Sequence, residues 1–272
     1  QENEVGNWVH KVLELFGKND GFKLLQKDFK LALDKLEDVA HAMMTELEID
    51  LKEDLLLYKK AAIYFENLTD PEANLLADML HTEAPILSEF HGKHFFEQSF
   101  GEDEIEGSWP AYEISDESIQ LSLRGKLDRV MVEGDSVWAS DYKTGEVDLK
   151  QSNEFWTSQM LFYYLVLRAQ YPEKKILLSY EQLKSFGKNG IKGFVGDVDL
   201  GHLVTEILKP KANLKLPISQ GETWSEETII AVTLDHAQAI ADQNYPLTQR
   251  DESKACKYCP YDRICRKTAL PR

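Results

Sequence analysis

The chain has 272 residues, 43% of them hydrophobic and 29% charged, with a formal net charge of −16. That is enough for one large domain, or a core with an elaborated appendage. With no run near the roughly 18 apolar residues of a membrane span and no secretory leader pattern, a soluble cytoplasmic protein without a membrane partner is expected.

The acid excess argues against a broadly basic nucleic-acid surface, because phosphate contacts draw on Lys and Arg. Part of the excess is local, in the solvated run Glu102-Asp103-Glu104-Ile105-Glu106. The first ninety residues read as helical. Trp8, Val9, Val12, Leu13 and Phe16 recur at helical spacing, and Asn19-Asp20-Gly21 ends that stripe. Helices are expected over 22–44 and 51–68. Asp70-Pro71 is expected to open another, capped by Thr69, and that helix or pair of helices runs to Phe90.

The pattern changes at 94–145. Strands are expected at 94–97, 119–123, 127–132 and 136–142, with polar turns between them. A helix is expected at 154–169, then a buried strand at 175–180. Gly187, Gly190, Gly193 and Gly196 punctuate a segment expected to be loose. A last helix at 228–243 precedes a cysteine-bearing tail. The order predicts an α/β fold, a mixed sheet flanked by helices. Its parts are an N-terminal motif helix at 1–20, a helical insertion at 21–93, the α/β core at 94–246 and the tail at 247–272.

The most informative residues are Asp128, Asp141 and Lys143. They flank the turn signal Glu133-Gly134-Asp135-Ser136, which predicts a β-hairpin closed at Gly134-Asp135. Residues 128 and 141 are equally far from that turn, so they oppose each other, with Cβ atoms about 4.5–5.5 Å apart on one face. Asp141 and Lys143, two apart on one strand, share a face. Two carboxylates held together repel unless a cation or shared proton separates them. A hard divalent metal such as Mg²⁺ is a natural solution, with the lysine positioned to hold a water or stabilise phosphate charge. A surface hairpin with ordinary ion pairs reads equally well from these residues alone. The same register also sets Lys126 opposite Lys143, which calls for a bulge or strong twist.

His10, one turn from Gly6 and from Glu14, reads by itself as a core or surface histidine, or as a ligand. Gln159 and Tyr163, four apart on a helix, share a face and read as packing with a polar edge. Cys256, Cys259 and Cys265 are the only cysteines. Cys-x₂-Cys-x₅-Cys is thiolate-ligand spacing. It fits zinc with a histidine such as His236, an iron–sulfur cluster lacking its fourth ligand, or three reduced thiols.

Taken together, Gly6-x₃-His10-x₂-Leu13-Glu14, Gly125-Lys126-Leu127-Asp128-Arg129, Asp141-Tyr142-Lys143-Thr144-Gly145 and Gln159-x₃-Tyr163 resemble the motif order of the PD-(D/E)xK nucleases of RecB type. The cysteine triplet is similar to that of the iron–sulfur branch, the AddB subunit of bacterial helicase–nucleases and the CRISPR-associated exonucleases. The resemblance implies a restriction-endonuclease-like fold. It also implies Mg²⁺ or Mn²⁺ held by His10, Asp128, Asp141 and the Tyr142 carbonyl. Lys143 would activate water, and Gln159 and Tyr163 would orient the DNA backbone or support the site. Glu97 matches an acidic position before the sheet and takes a supporting role. In that branch a cysteine precedes the glycine–histidine motif. The expectation is therefore an excised domain whose 4Fe–4S cluster, with Cys256, Cys259 and Cys265 as ligands, is incomplete in this chain.

The function expected is a metal-dependent DNA nuclease of exonuclease type. It would be part of a helicase–nuclease in repair or recombination, with a helicase subunit or domain delivering single strands or duplex ends. Two other classes stay open: a non-catalytic DNA-binding or scaffolding module that keeps the nuclease fold, and a metal-binding regulatory protein that works through its cysteine tail.

Overall fold

In the computed structural model, which describes residues 2–46, 55–145, 155–183, 191–195 and 226–242, the first apolar stripe forms α1 (Glu2–Lys18). Val5, Trp8, Val9, Val12, Leu13 and Phe16 are its buried face. The helix expected over 22–44 is divided into α2 (Gly21–Leu25) and α3 (Phe29–Glu46). Asp28 causes the division, because its carboxylate accepts the Leu31 N–H at 3.1 Å and caps α3.

After α4 (Leu55–Phe65), the next helix, α5 (Leu75–Glu89), starts later than expected. Asp70 closes a turn, accepting the Glu72 N–H at 2.9 Å. The cap is Asn74, not Thr69: its side-chain oxygen accepts from Leu76 and Ala77 at 2.9 and 3.1 Å. Asn74 is buried and also donates to the Glu66 carbonyl at 2.8 Å. Asn74→Ala is expected to cost about 1–2 kcal/mol, measurable as a lower urea midpoint with an unchanged slope.

Strands β1 (Lys93–Phe100), β4 (Gly125–Glu133), β5 (Ser136–Lys143), β6 (Lys175–Gln182) and β7 (Ile191–Val195) form one mixed sheet in the order β1-β4-β5-β6-β7. The short strands β2 (Tyr112–Ser115) and β3 (Gln120–Leu123) pair separately. The glycine-punctuated segment expected to be loose contains β7, which runs antiparallel to β6 with Gly193 opposite Ser179. The β4–β5 hairpin closes as expected at Gly134-Asp135, with Glu133 opposite Ser136. Gly134 has φ +53°, a conformation that favours glycine. Strands β5 and β6 are parallel, so the chain must cross over between them, and α6 (Phe155–Gln170) makes that crossover.

Alternation along the strands gives the sheet two apolar faces. Met131, Trp138 and Leu177 pack under α1–α5. Val130, Val132, Val137, Ala139, Ile176 and Leu178 pack against Met160, Tyr163, Val166 and Leu167 of α6. The result is a helix–sheet–helix sandwich, the restriction-endonuclease-like α/β arrangement. Gly17 allows α1 to lie on β1, since a Cβ there would meet the Phe96 ring at 2.4 Å.

The chain forms two compact units, one of residues 1–113 and 122–224 and a second of 114–121 and 225–272, which contains α7 (Glu226–Ala241). Among the described residues, no helix is long and apolar enough to cross a membrane.

Candidate metal centre

Helix α1 carries His10 to the hairpin, where its Nδ1 lies 3.3 Å from Asp128 Oδ2. The same carboxylate oxygen accepts the backbone N–H of Tyr142 at 2.8 Å. On the other side of β4, the β1 register places Glu97 across from Asp128: Phe96 pairs with Arg129 and Gln98 with Leu127. The intervening pair is missing from the ladder, and Glu97 has φ +48°. A non-glycine residue held there stores about 1–3 kcal/mol of strain, which surrounding structure must offset. Ligand atoms of His10, Glu97 and Asp128 all lie within 4.8 Å of one another.

Asp141 stands beside this group. The regular β4–β5 pairing ends at Arg129–Ser140, one step short of the expected 128–141 pair. The two strands part here, so Lys126 and Lys143 are not held opposite each other as a continued ladder would require. Asp141 is almost fully buried. Its Oδ1 accepts from Gln159 Nε2 at 2.7 Å, and its Oδ2 forms an ion pair with Lys143. Gln159 Nε2 also reaches the Tyr163 hydroxyl at 3.0 Å, and that hydroxyl donates to the Lys126 carbonyl at 2.8 Å. Helix α6 therefore fixes one side of Asp141 while Lys143 fixes the other.

The electrostatics show a shortage of positive charge. Burial, then the charges of Asp128 and Glu14, push the Glu97 carboxyl up to about 7, against the opposing pull of His10 and Lys126. Burial and the Asp128 charge likewise raise Asp141, despite Lys143. Burial by itself would lower His10, but its bond to Asp128 and the charges of Asp128, Asp141 and Glu97 outweigh it and raise the imidazole. Crowded carboxylates of this kind are relieved by a divalent cation. The donors are one imidazole nitrogen and carboxylate oxygens, and they fit Mg²⁺ or Mn²⁺, the nitrogen favouring Mn²⁺.

The structure thus brings His10, Asp128, Asp141, Lys143, Gln159 and Tyr163 to one end of the sheet. Tyr142 enters through its N–H, on Asp128, and through its hydroxyl, which accepts from Arg129 Nη1 at 3.4 Å. Sequence reasoning gave Glu97 only a supporting role. Its place in the donor group depends on the β1–β4 register, which no local pattern announces. Cys256, Cys259 and Cys265 lie outside the described residues, as does the side chain of His236 on α7.

A family model described as the PD-(D/E)XK nuclease superfamily matches residues 1–266. The chain belongs to the PD-(D/E)XK nuclease superfamily. That membership assigns it nuclease chemistry, the metal-dependent hydrolysis of phosphodiester bonds. Among solved structures, this nuclease is similar to one titled "Crystal structure of SSO0001", at 17% identity and a TM-score of 0.35, with 79% of each chain covered. No curated protein matches the nuclease significantly in sequence.

Proposed function

We propose that this nuclease is a Mg²⁺- or Mn²⁺-dependent deoxyribonuclease of exonuclease type, of the RecB/AddB kind, working in the cytoplasm within a helicase–nuclease in DNA repair or recombination. The observation that supports the reading best is the convergence of His10, Glu97 and Asp128 within 4.8 Å, beside the Asp141–Lys143 ion pair. In this reading His10, Glu97, Asp128, Asp141 and the Tyr142 carbonyl hold the metal. The ion, when bound, neutralises charge on the phosphate and lowers the pKa of water.

The chain's own residues do the rest. Lys143, held by Asp141, offers its hydrogen-bond donors to the attacking water and the scissile phosphate. Gln159 fixes the carboxylate plane of Asp141, and Tyr163 fixes Gln159. His10, whose imidazole is raised by the Asp128, Asp141 and Glu97 carboxylates, would serve as a ligand in its neutral form, its proton lost to solvent.

The net charge of −16 means the isolated chain should bind DNA weakly. A helicase subunit or domain that feeds it single strands or duplex ends supplies the missing affinity. The three cysteines support an iron–sulfur reading of the tail, with Cys256, Cys259 and Cys265 as ligands of a 4Fe–4S cluster. Iron with sulfide in the purified protein supports that reading, and zinc alone opposes it.

The test is degradation of linear DNA with Mg²⁺ or Mn²⁺ present, against an EDTA control. Lys143→Ala is expected to reduce cleavage by about two to three orders of magnitude, the scale of losing one donor aimed at developing charge. Cleavage by folded Lys143→Ala at the wild-type rate would refute its role. Wild-type protein that binds Mn²⁺ but cuts no nucleic acid would favour a non-catalytic module.

A further inference from the structure

Beneath the metal centre lies a charged group that none of the roles above uses. Arg129 follows Asp128 directly and is 1% exposed. Its Nη1 meets Glu83 of α5 and the Tyr142 hydroxyl of β5, and lies 3.7 Å from Glu181 of β6. Its Nε donates to His94 Nε2 of β1 at 2.7 Å. The guanidinium lies 4.7 Å from the centre of the Phe22 ring of α2. One side chain thus ties two helices of the N-terminal layer to three other strands of the sheet.

The position of this hub matters because of what β4 does there. Successive strand residues normally point to opposite faces. Yet Asp128 reaches α1 through His10, and Arg129 reaches α5 through Glu83 in the same helical layer. Leu127, Val130 and Val132 pack on the other face. The alternation is broken at Asp128, where the pairing to Glu97 is missing and the β4–β5 ladder ends. Something must hold β4 in that posture. Tyr142 is held at both ends, its N–H on Asp128 and its hydroxyl on Arg129. Its partner on the adjacent strand β6 is Glu181, the second carboxylate of the cluster.

We propose that Arg129 is a positioning residue for the metal centre: its buried contacts with Glu83 and Tyr142 hold Asp128 and the Tyr142 N–H in the arrangement that receives the cation. The inference rests on the metal-binding reading above and adds its support layer. Outer partners of this kind typically govern metal affinity by 10–100-fold when lost. A point charge cannot replace the guanidinium, because lysine lacks the planar set of donors that reaches Glu83, Tyr142 and His94 together.

The experiment measures Mn²⁺ affinity calorimetrically, with the folded fraction of each protein checked by its thermal melt. Arg129→Lys is expected to stay folded and bind Mn²⁺ 10–100-fold more weakly. The double variant Glu83→Met with Arg129→Met removes both charges together, a change buried ion pairs often tolerate without loss of stability. It is expected to show the same weakened binding, with kcat reduced more than KM is raised. Either variant folded and binding Mn²⁺ like the wild type would overturn the inference and show the cluster to be structural only. Wild-type protein that fails to bind Mn²⁺ at all would instead overturn the metal-centre reading on which it stands.

Discussion

Asp128→Ala is expected to reduce Mg²⁺-dependent cleavage of linear DNA by at least about three orders of magnitude while leaving the fold intact. The carboxylate is where the donors meet: His10 Nδ1 and the Tyr142 N–H both contact its Oδ2, and Glu97 faces it across the sheet. A metal's stabilisation of phosphate charge is worth several kcal/mol, and each 1.36 kcal/mol is a factor of about ten in rate. The fold should not suffer, because Asp128 is a source of repulsion. Its charge contributes to the upward shift of both Glu97 and Asp141. Asp128→Asn separates the two roles of the side chain. It keeps an acceptor for the Tyr142 N–H but removes the negative charge, so it should melt like the wild type and still fail to bind Mn²⁺. Cleavage within tenfold of wild type in both variants would remove Asp128 from the site.

Local patterns revealed some parts of this site and not others. The Gly134-Asp135 turn predicted the β4–β5 hairpin, because a two-residue connection fixes both partners and register. From that register Asp128, Asp141 and Lys143 followed. The register could not show where the ladder would stop. That depends on β1, whose Glu97 adopts φ +48° opposite Asp128, and on α1, which delivers His10 from 118 positions earlier in the chain. Glu97 is hard to place from sequence because its partner strand is separated from it by β2 and β3. Asp70-Pro71 is a louder helix-start signal than Asn74, yet the Asp70 carboxylate closes a turn and leaves the cap to Asn74. Arg129 closes the motif Gly125-Lys126-Leu127-Asp128-Arg129, but the motif says nothing of its burial. Only the approach of α5 makes it a buried hub.

That burial leads to the second large effect. Glu83→Gln is expected to destabilise the protein by about 3–5 kcal/mol, the cost of stripping one partner from a buried pair. Burial would lower the Arg129 guanidinium, but the Glu83 charge more than compensates, so it stays charged inside the protein. Removing Glu83 leaves that charge facing Glu181 alone at 3.7 Å. Glu181 can ionise and take over, which places the single variant near the lower end of the range. Glu83→Gln combined with Glu181→Gln strands the guanidinium and should approach the upper end.

The same competition sets a pH dependence. With Glu83 present, burial and the Glu83 charge push Glu181 up to about 8, so it holds its proton in the folded protein at neutral pH. Unfolded, it titrates near the ordinary value of 4.5. Between those values the unfolded chain binds fewer protons, so the Glu181 contribution to stability is full below about 4.5 and is lost as pH rises through about 8. Urea denaturation of Glu181→Gln at pH 6 and pH 9 should therefore show less decline with pH than the wild type. An equal decline in both would mean that Glu181 is ionised throughout, with Arg129 balancing both carboxylates. A Glu83→Gln midpoint matching the wild type would mean that the guanidinium does not depend on Glu83 at all.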